Sequence, residues 1–167
     1  AHRPPAADRA ADQLMPYQIV VEDVAARPLA AVHRSVPVGR VASAWRPALD
    51  TVWAFLRRNE GLRTDGHNIF VYRHPSTPGG PLEVVFGVEV GHPFEAEGEI
   101  VCTHTPAGRA ASTVHIGPVE GIAHANAAVE AWCRTNDRPL AGVSWEIYGD
   151  PGEDPTTLEV QVFYLLG

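Results

Sequence analysis

A single carboxylate in an apolar, aromatic segment is the group in this sequence that is best placed to do chemistry. Glu146 lies between Trp145 and Ile147, and Tyr148 follows two residues later. Because side chains alternate along a β-strand, Glu146 and Tyr148 are predicted to share one face of it and the other two residues the opposite face. Burying a carboxylate is costly unless something compensates it. Glu146 is therefore predicted to lie in a ligand pocket, with an exposed sheet face as the alternative.

Two kinds of chemistry suit such a carboxylate. It could be the counter-charge of a bound cation, or it could act as a general base on water. Tyr148 could direct its hydroxyl to the same ligand, although a half-buried packing role fits its position equally well. If the protein is an enzyme, Glu146 and Tyr148 are the predicted catalytic residues.

The elements that must position these residues occur twice along the chain, in the order strand, helix, strand, strand. The first helical stretch ends near residue 59 and the second near residue 136. Identical residues recur at four matched positions, which are Arg27 and Arg109, His33 and His115, Tyr72 and Tyr148, and Glu83 and Glu159. These matches predict a single domain over 17–167, built from one unit at about 17–92 and a second at about 97–167. Residues 1–16 are predicted to be a flexible arm, with a possible helix at 6–14.

Local patterns define the elements within each unit. Apolar residues at helical spacing predict helices over 41–58 and 119–134. Runs rich in β-branched and aromatic residues predict strands over 19–24, 29–35, 67–73, 82–90, 99–105, 111–116, 142–149 and 157–166. Turns are predicted at 75–80 and 150–155. The predicted fold is α+β: two pseudo-twofold-related strand–helix–strand–strand units with antiparallel sheets, helices packed on the sheets and a central ligand cleft.

Aromatic residues are expected to surround the carboxylate in that cleft. By the repeat, Phe70 and Tyr72 occupy in the first unit the face that Glu146 and Tyr148 occupy in the second. Such a cage favours flat or cationic ligands through stacking and cation–π contacts of about 0.5–2 kcal/mol each. Trp53 and Trp132, late in the two helices, could line the ligand site or belong to the core. Trp145 is expected to pack under a helix.

Composition and charge bear on partners and location. The net charge of -7 without a basic cluster disfavours direct nucleic-acid binding. Neither a membrane-spanning stretch nor a secretory signal is visible, so a cytoplasmic location without membrane contact is expected. The protein is expected to be a monomer or a weak dimer. Cys102 and Cys133 are expected to be reduced thiols, with a disulfide as the alternative.

Metal, cofactor and nucleophile motifs find no support in the pattern. His33 and His115 could suggest a symmetric metal pair, but shared ancestry of the two units is the favoured explanation. The other histidines lack HExxH-like spacing, and no G-x-S-x-G, Walker A or G-x-G-x-x-G motif occurs. No metal and no cofactor are therefore predicted. Glu83 and Glu159 are expected to be solvated or ion-paired.

Several segments together resemble the GyrI-like small-molecule-binding domains. The resemblance is carried by His115–Ile122, Trp132, Trp145–Tyr148 and Leu158–Val160, and it extends over about 17–166. It implies the two-unit fold and its cleft. Regulators of this family bind bulky aromatic cations with a strand glutamate as counter-charge, and Glu146 corresponds to that residue. Some stand-alone members are hydrolases of cyclopropane-bearing natural products, and there the same glutamate is implied in catalysis.

Three functional hypotheses follow. The first is a stand-alone, multidrug-type binding protein for hydrophobic, aromatic, often cationic small molecules. Its expected ligand contacts are Glu146, Tyr148, Phe70, Tyr72, Trp132 and Trp53. The alternative is a hydrolase that opens cyclopropane-bearing electrophiles, with Glu146 activating water and Tyr148 assisting. The third is inhibition of a gyrase through an acidic surface. The stand-alone form is favoured because too few residues precede Tyr17 for a helix-turn-helix, unless the chain is an excised domain.

Overall fold

The computed structural model of the protein describes residues 17–149 and 154–167. Its strands are β1 (Val20–Val24), β2 (Pro28–Val36), β3 (Arg63–Arg73), β4 (Leu82–Val90), β5 (Val101–His104), β6 (Gly108–Ile116), β7 (Leu140–Tyr148) and β8 (Glu159–Leu166), and its α-helices are α1 (Val41–Arg58) and α2 (Ile122–Thr135). The α+β prediction is confirmed. The predicted arm over 1–16, the helix suggested within it and residues 150–153 of the second turn lie outside the described residues.

The eight described strands form one antiparallel sheet in the order β1-β6-β8-β7-β3-β4-β2-β5. Read outward from its middle, the first unit runs β3-β4-β2 and the second runs β7-β8-β6. The outer strands are exchanged, because β1 pairs with β6 of the second unit and β5 pairs with β2 of the first. β1 precedes the first unit in the chain but forms the edge of the second, and β5 precedes β6 but forms the edge of the first. This exchange of edge strands joins the two units in one sheet.

The pseudo-twofold axis crosses the sheet where β3 meets β7. Phe70 of β3 lies directly opposite Glu146 of β7, and Tyr72 lies opposite Ser144. Tyr72 and Tyr148 are each two residues beyond the Phe70–Glu146 pair on their own strands. Because the two strands are antiparallel, rotation about this pair exchanges the two tyrosines and also exchanges Phe70 with Glu146. The matched tyrosines and the Phe70–Glu146 correspondence predicted from the repeat agree with this register.

The histidine match in the repeat is wrong by one residue. The strand registers that pair β2 with β4 and β6 with β8 make Arg34 the counterpart of His115, and Val114 the counterpart of His33. A shift of one residue moves a side chain to the other face of a strand. His33 is accordingly exposed and ion-paired with Glu83, with 2.8 Å between His33 Nε2 and Glu83 Oε2, whereas 5% of His115 is exposed.

His115 stabilises the start of the second helix. One ring nitrogen lies 2.8 Å from the Tyr17 hydroxyl and the other 2.8 Å from the Pro118 carbonyl. A carbonyl only accepts, so Nε2 is the donor to Pro118. Gly121 packs so closely on the ring that an added Cβ would lie 2.5 Å from its Cε1 atom. His115 therefore has a structural role, which also fits the 3₁₀ turn Val119–Gly121 that precedes α2.

Both helices cover the same face of the sheet. α1 buries residues at helical spacing, and it packs on β2 and β4. α2 packs in the same way on β6 and β8. The two helices end alike, because Asn59 and Asn136 each donate a side-chain hydrogen bond to the carbonyl four residues earlier, at 2.9 and 2.8 Å. This shared ending aligns the helices residue by residue.

The face of the sheet that the helices do not cover carries its own apolar cluster. Its buried members are Leu29, Ala31, Ile69, Val71, Ala110, Trp145, Ile147 and Phe163. Trp145 stacks on Phe163 with ring centroids 5.1 Å apart. The expectation that Trp145 packs under a helix is therefore wrong, because strand alternation places it opposite Glu146, whose side is the helix-covered one.

Cys102 is half-buried and Cys133 buried, and both are free thiols. Among the described helices, none combines the length and the apolar composition needed to span a lipid bilayer.

Candidate functional site

Glu146 lies at the centre of the helix-covered face, where 5% of the residue is exposed. Its Oε1 atom accepts hydrogen bonds from the hydroxyls of Tyr72 at 2.7 Å and Tyr148 at 2.8 Å. Its Oε2 atom accepts one from Asn126 Nδ2 at 3.0 Å. Within the described chain, no arginine or histidine forms an ion pair with this carboxylate. Neutral donors alone therefore compensate its burial.

The two tyrosines are held in their donor form. Burial first, and the neighbouring Glu146 carboxylate second, raise the pKa of Tyr72 and the pKa of Tyr148 far above the ordinary value near 10. Both hydroxyls are therefore protonated at neutral pH, and each donates a hydrogen bond to Oε1. The pseudo-twofold axis explains why two residues 76 positions apart reach one atom (148 − 72 = 76).

A second layer of polar residues supports Asn126. Its Oδ1 atom accepts from the Tyr164 hydroxyl at 2.8 Å, and that hydroxyl also lies 2.8 Å from Glu130 Oε1. Burial and the neighbouring Glu130 raise the pKa of Tyr164, so this hydroxyl also stays protonated. His74 stacks on the Tyr164 ring at 6.1 Å between centroids. The polar network therefore runs from buried Glu146 to half-buried Glu130.

Apart from Tyr72, the hydrogen-bonded residues of this network belong to the second unit. Each of these residues has a counterpart in the first unit, found by matching Asn59 with Asn136 in the helices and by following the registers of the strands. These are Leu49 for Asn126, Trp53 for Glu130, Phe70 for Glu146 and Val88 for Tyr164. Four polar residues thus replace four apolar ones, so the site has a polar half and an apolar half.

Aromatic rings pack beside the carboxylate on the apolar side. Phe70 lies next to Glu146 across the strand pair, and its ring centroid is 4.9 Å from that of Tyr148. It also contacts Phe86 at 5.0 Å and Trp45 at 6.4 Å between centroids. The structure brings Phe70 and both tyrosines together, and it adds Trp45 from α1.

Trp53 and Trp132, the two tryptophans predicted to contact a ligand, have other neighbours. Trp53 Nε1 donates to Asn68 Oδ1 at 3.2 Å, and the guanidinium of Arg63 lies 5.4 Å from its ring centroid. Trp132 is half-buried against the apolar cluster of α2. Their contact with a ligand stays a prediction.

Sequence reasoning missed Asn126, Glu130 and Tyr164. Asn126 and Glu130 are four residues apart on α2, so they share a face of the helix. Asn126 also lies one turn after Ile122 and three residues before Val129, both buried. A polar residue on an apolar stripe is the pattern that could have revealed it.

A surface depression of about 480 Å³ lies apart from this site, between α1 and residues 97–100. Its lining includes Asp50, Arg58, Glu97 and Glu99. Arg58 and Glu97 form an ion pair at 3.8 Å. Charged, open surfaces of this kind are poorly suited to a hydrophobic aromatic ligand. Glu146 is instead covered by the aromatic side chains around it.

The raised pKa values of the three buried tyrosine hydroxyls predict that the protein loses stability at alkaline pH. An unfolded tyrosine loses its proton near pH 10, whereas the pKa values of Tyr72, Tyr148 and Tyr164 are raised in the folded protein. Their stabilising effect is complete below about pH 10 and is lost as the pH rises. The free energy of unfolding should fall by up to about 1.4 kcal/mol per pH unit for each residue.

Urea denaturation between pH 9 and 11.5 measures this slope. Tyr164→Phe should reduce this slope by up to about 1.4 kcal/mol per pH unit, because one of the groups whose pKa is raised in the folded protein is removed. An unchanged slope in that variant would contradict a raised pKa of Tyr164 in the folded protein.

Comparison with known proteins places the chain in a family. The model of the GyrI-like small molecule binding domain matches residues 17–164. Among solved structures, the crystal structure of the EcmrR C-terminal domain is 20% identical, with a TM-score of 0.75, and covers 92% of this chain and 99% of that one. In the EcmrR–DNA complex the identity is 19% and the TM-score 0.76, with 96% of this chain and 61% of that one covered. A search of curated proteins found no match.

More distant structures share the same fold. SAV2435 bound to tetraphenylphosphonium is 10% identical, with a TM-score of 0.56, and covers 90% of this chain and 94% of that one. A structure described as a hydrolase from Listeria innocua is 12% identical, with a TM-score of 0.60, and covers 90% of this chain and 92% of that one. At such identities the likeness concerns the fold alone, whereas the family model spans most of the chain. The protein belongs to the GyrI-like family of small-molecule-binding domains.

Proposed function

We propose that this chain binds bulky, hydrophobic, aromatic cations and that Glu146 is their counter-charge. The observation that carries the proposal is a carboxylate, 5% exposed, that has aromatic neighbours and no cationic partner among the described residues. A buried ion of this kind is a source of instability unless an opposite charge joins it. A cationic ligand would supply this opposite charge, and its attraction to the carboxylate would favour binding.

The surroundings of Glu146 support a through-space attraction. The three hydrogen bonds hold the carboxylate in one orientation, so little entropy is lost when a cation approaches. A unit charge about 5 Å away, at an effective dielectric constant of about 20, gains about 3 kcal/mol. Phe70, Tyr72 and Tyr148 can add ring contacts with the cation of about 0.5–2 kcal/mol each.

Entry to the site requires the aromatic side chains to move. Glu146 is nearly inaccessible, while Tyr72, Tyr148 and Trp45 are half-buried. Rotation of these rings would open a space over the carboxylate between the two helices. The fold relative that binds tetraphenylphosphonium supports the same ligand class for this chain.

The test uses two ligands of the same shape and opposite charge. Tetraphenylphosphonium should bind at least about 100-fold more tightly than tetraphenylborate, a difference of about 2.7 kcal/mol. Isothermal titration calorimetry measures both affinities. Equal affinities would contradict a counter-charge in the site, because shape and hydrophobicity are matched.

The hydrolase alternative uses the same atoms differently. Protonated Tyr72 and Tyr148 beside a carboxylate offer an acid and a base, and fold relatives are described as hydrolases. For Glu146 to take a proton from water, however, water must reach the one lone-pair position that the three donors leave at Oε2, on a residue that is only 5% exposed. The resting geometry therefore supports binding better. Product formed above the buffer rate from a cyclopropane-bearing dienone, followed by mass spectrometry, would favour the hydrolase.

A further inference from the structure

We propose that the site selects cations that carry no hydrogen-bond donor, such as quaternary ammonium or phosphonium ions, over primary ammonium ions of similar size. Asn126 is the residue that determines this selectivity. The inference rests on the proposed function, because it specifies which cations the Glu146 site accepts.

Glu146 has few acceptor positions left for a ligand. A carboxylate offers about four lone-pair positions. Two hydroxyl donors occupy Oε1, and Asn126 occupies one position at Oε2. At most one position is therefore free for a ligand. Tyr72 and Tyr148 keep lone pairs on their oxygens, but these belong to neutral groups and are weaker acceptors for an ammonium ion.

The consequence differs between two kinds of cation. A primary ammonium ion has three N–H donors, all bonded to water before it binds, and in this site most of them would lose their partners. A buried donor without an acceptor is strongly unfavourable. A quaternary ammonium or phosphonium ion has no such donors, so it keeps the attraction to the carboxylate without that penalty.

Asn126 is the one donor to Oε2 among the described residues, so its removal frees a whole carboxylate oxygen. It is unique to the second unit, where Leu49 is its counterpart in the first. If its amide is absent, Oε2 becomes available to a ligand. The Tyr164 hydroxyl then still has Glu130 Oε1 as its acceptor at 2.8 Å. No buried hydroxyl is left unpaired.

The experiment compares two fluorescent probes that share an aromatic group. They are (anthracen-9-ylmethyl)trimethylammonium and (anthracen-9-ylmethyl)ammonium, both cationic at neutral pH. The unaltered protein should prefer the quaternary probe by about tenfold or more, as judged by fluorescence titration. In Asn126→Ala this preference should shrink at least about fivefold, mainly because the primary ammonium ion binds more tightly.

Asn136→Ala is the matched control. Asn126 and Asn136 each donate to the carbonyl four residues earlier on α2, at 3.0 and 2.8 Å, but Asn136 is exposed. Both variants lose one such bond, and only Asn126→Ala changes the acceptors of Glu146. The control should keep the original preference, and thermal unfolding should show that both variants fold.

The possible outcomes separate this inference from the function on which it rests. If tetraphenylphosphonium binds but the unaltered protein does not distinguish the probes, or does not bind the quaternary one, the selectivity is overturned. An unchanged preference in Asn126→Ala overturns the role of Asn126. If tetraphenylphosphonium fails to bind, the proposed function itself is wrong.

Discussion

Glu146→Gln is expected to weaken the binding of tetraphenylphosphonium by about 30-fold, equivalent to about 2 kcal/mol. The substitution removes the charge but keeps the size of the side chain. The expected loss is somewhat smaller than the attraction of about 3 kcal/mol between unit charges at about 5 Å, because the neutral amide is easier to desolvate. Calorimetry of the variant and of the unaltered protein measures the difference.

The folded protein should tolerate this substitution. The glutamine Oε1 atom can still accept from Tyr72 and Tyr148. The cost is confined to one contact, where the new Nε2 group faces the Asn126 amide, which keeps its hydrogen bond to the Ile122 carbonyl. Weaker ligand binding should therefore not result from unfolding, and a thermal unfolding curve checks this.

Glu159→Gln is the control for net charge. Glu159 is an exposed carboxylate at the start of β8, so its loss changes the total charge by the same amount without touching the site. It should leave the affinity for tetraphenylphosphonium within about twofold. A Glu146→Gln variant that is folded and binds as tightly as the unaltered protein would contradict the counter-charge role.

Removing both tyrosine hydroxyls should destabilise the protein by more than the sum of the single substitutions. Tyr72→Phe or Tyr148→Phe alone leaves Oε1 of Glu146 with one donor, and each should lower the free energy of unfolding by about 1 kcal/mol. The double variant leaves that oxygen buried without any donor. Because hydrogen bonds to a charged group are stronger, the combined loss should reach about 4 kcal/mol.

A double-mutant cycle measured by urea denaturation gives the coupling energy. Tyr17→Phe combined with Tyr148→Phe is the comparison, because the Tyr17 hydroxyl bonds His115 and not Glu146. That pair should be additive to within about 0.5 kcal/mol. Additive losses for Tyr72→Phe and Tyr148→Phe would mean that the two hydroxyls do not share one acceptor.

Most of the secondary structure follows from local patterns in the sequence. The helix predicted over 41–58 is present as Val41–Arg58, and the strand predicted over 82–90 is present as Leu82–Val90. Helical spacing and strand alternation depend on neighbours a few residues apart, so one sequence is enough to show them. The same alternation predicts that Glu146 and Tyr148 share a face, as they do.

Features that depend on register were less predictable. The sequence repeat suggested that His33 matches His115, but the strand pairing shifts the match by one residue and leaves one histidine exposed and the other buried. Trp145 was expected beneath a helix, yet it stacks on Phe163 on the other face. Each outcome depends on which face of the sheet the helices cover, and no local pattern records that choice.

The sequence by itself determined that a lone carboxylate stands beside a tyrosine on a strand of a twofold-repeated α+β domain. Only the tertiary structure decided what that carboxylate contacts. Tyr72 lies 74 residues before Glu146 and Asn126 lies 20 before it, and both reach it through the packing of separate elements. Hydrogen bonds between such distant residues require the strand register and the helix position together. The acceptors left for a ligand could therefore be counted only in the folded protein.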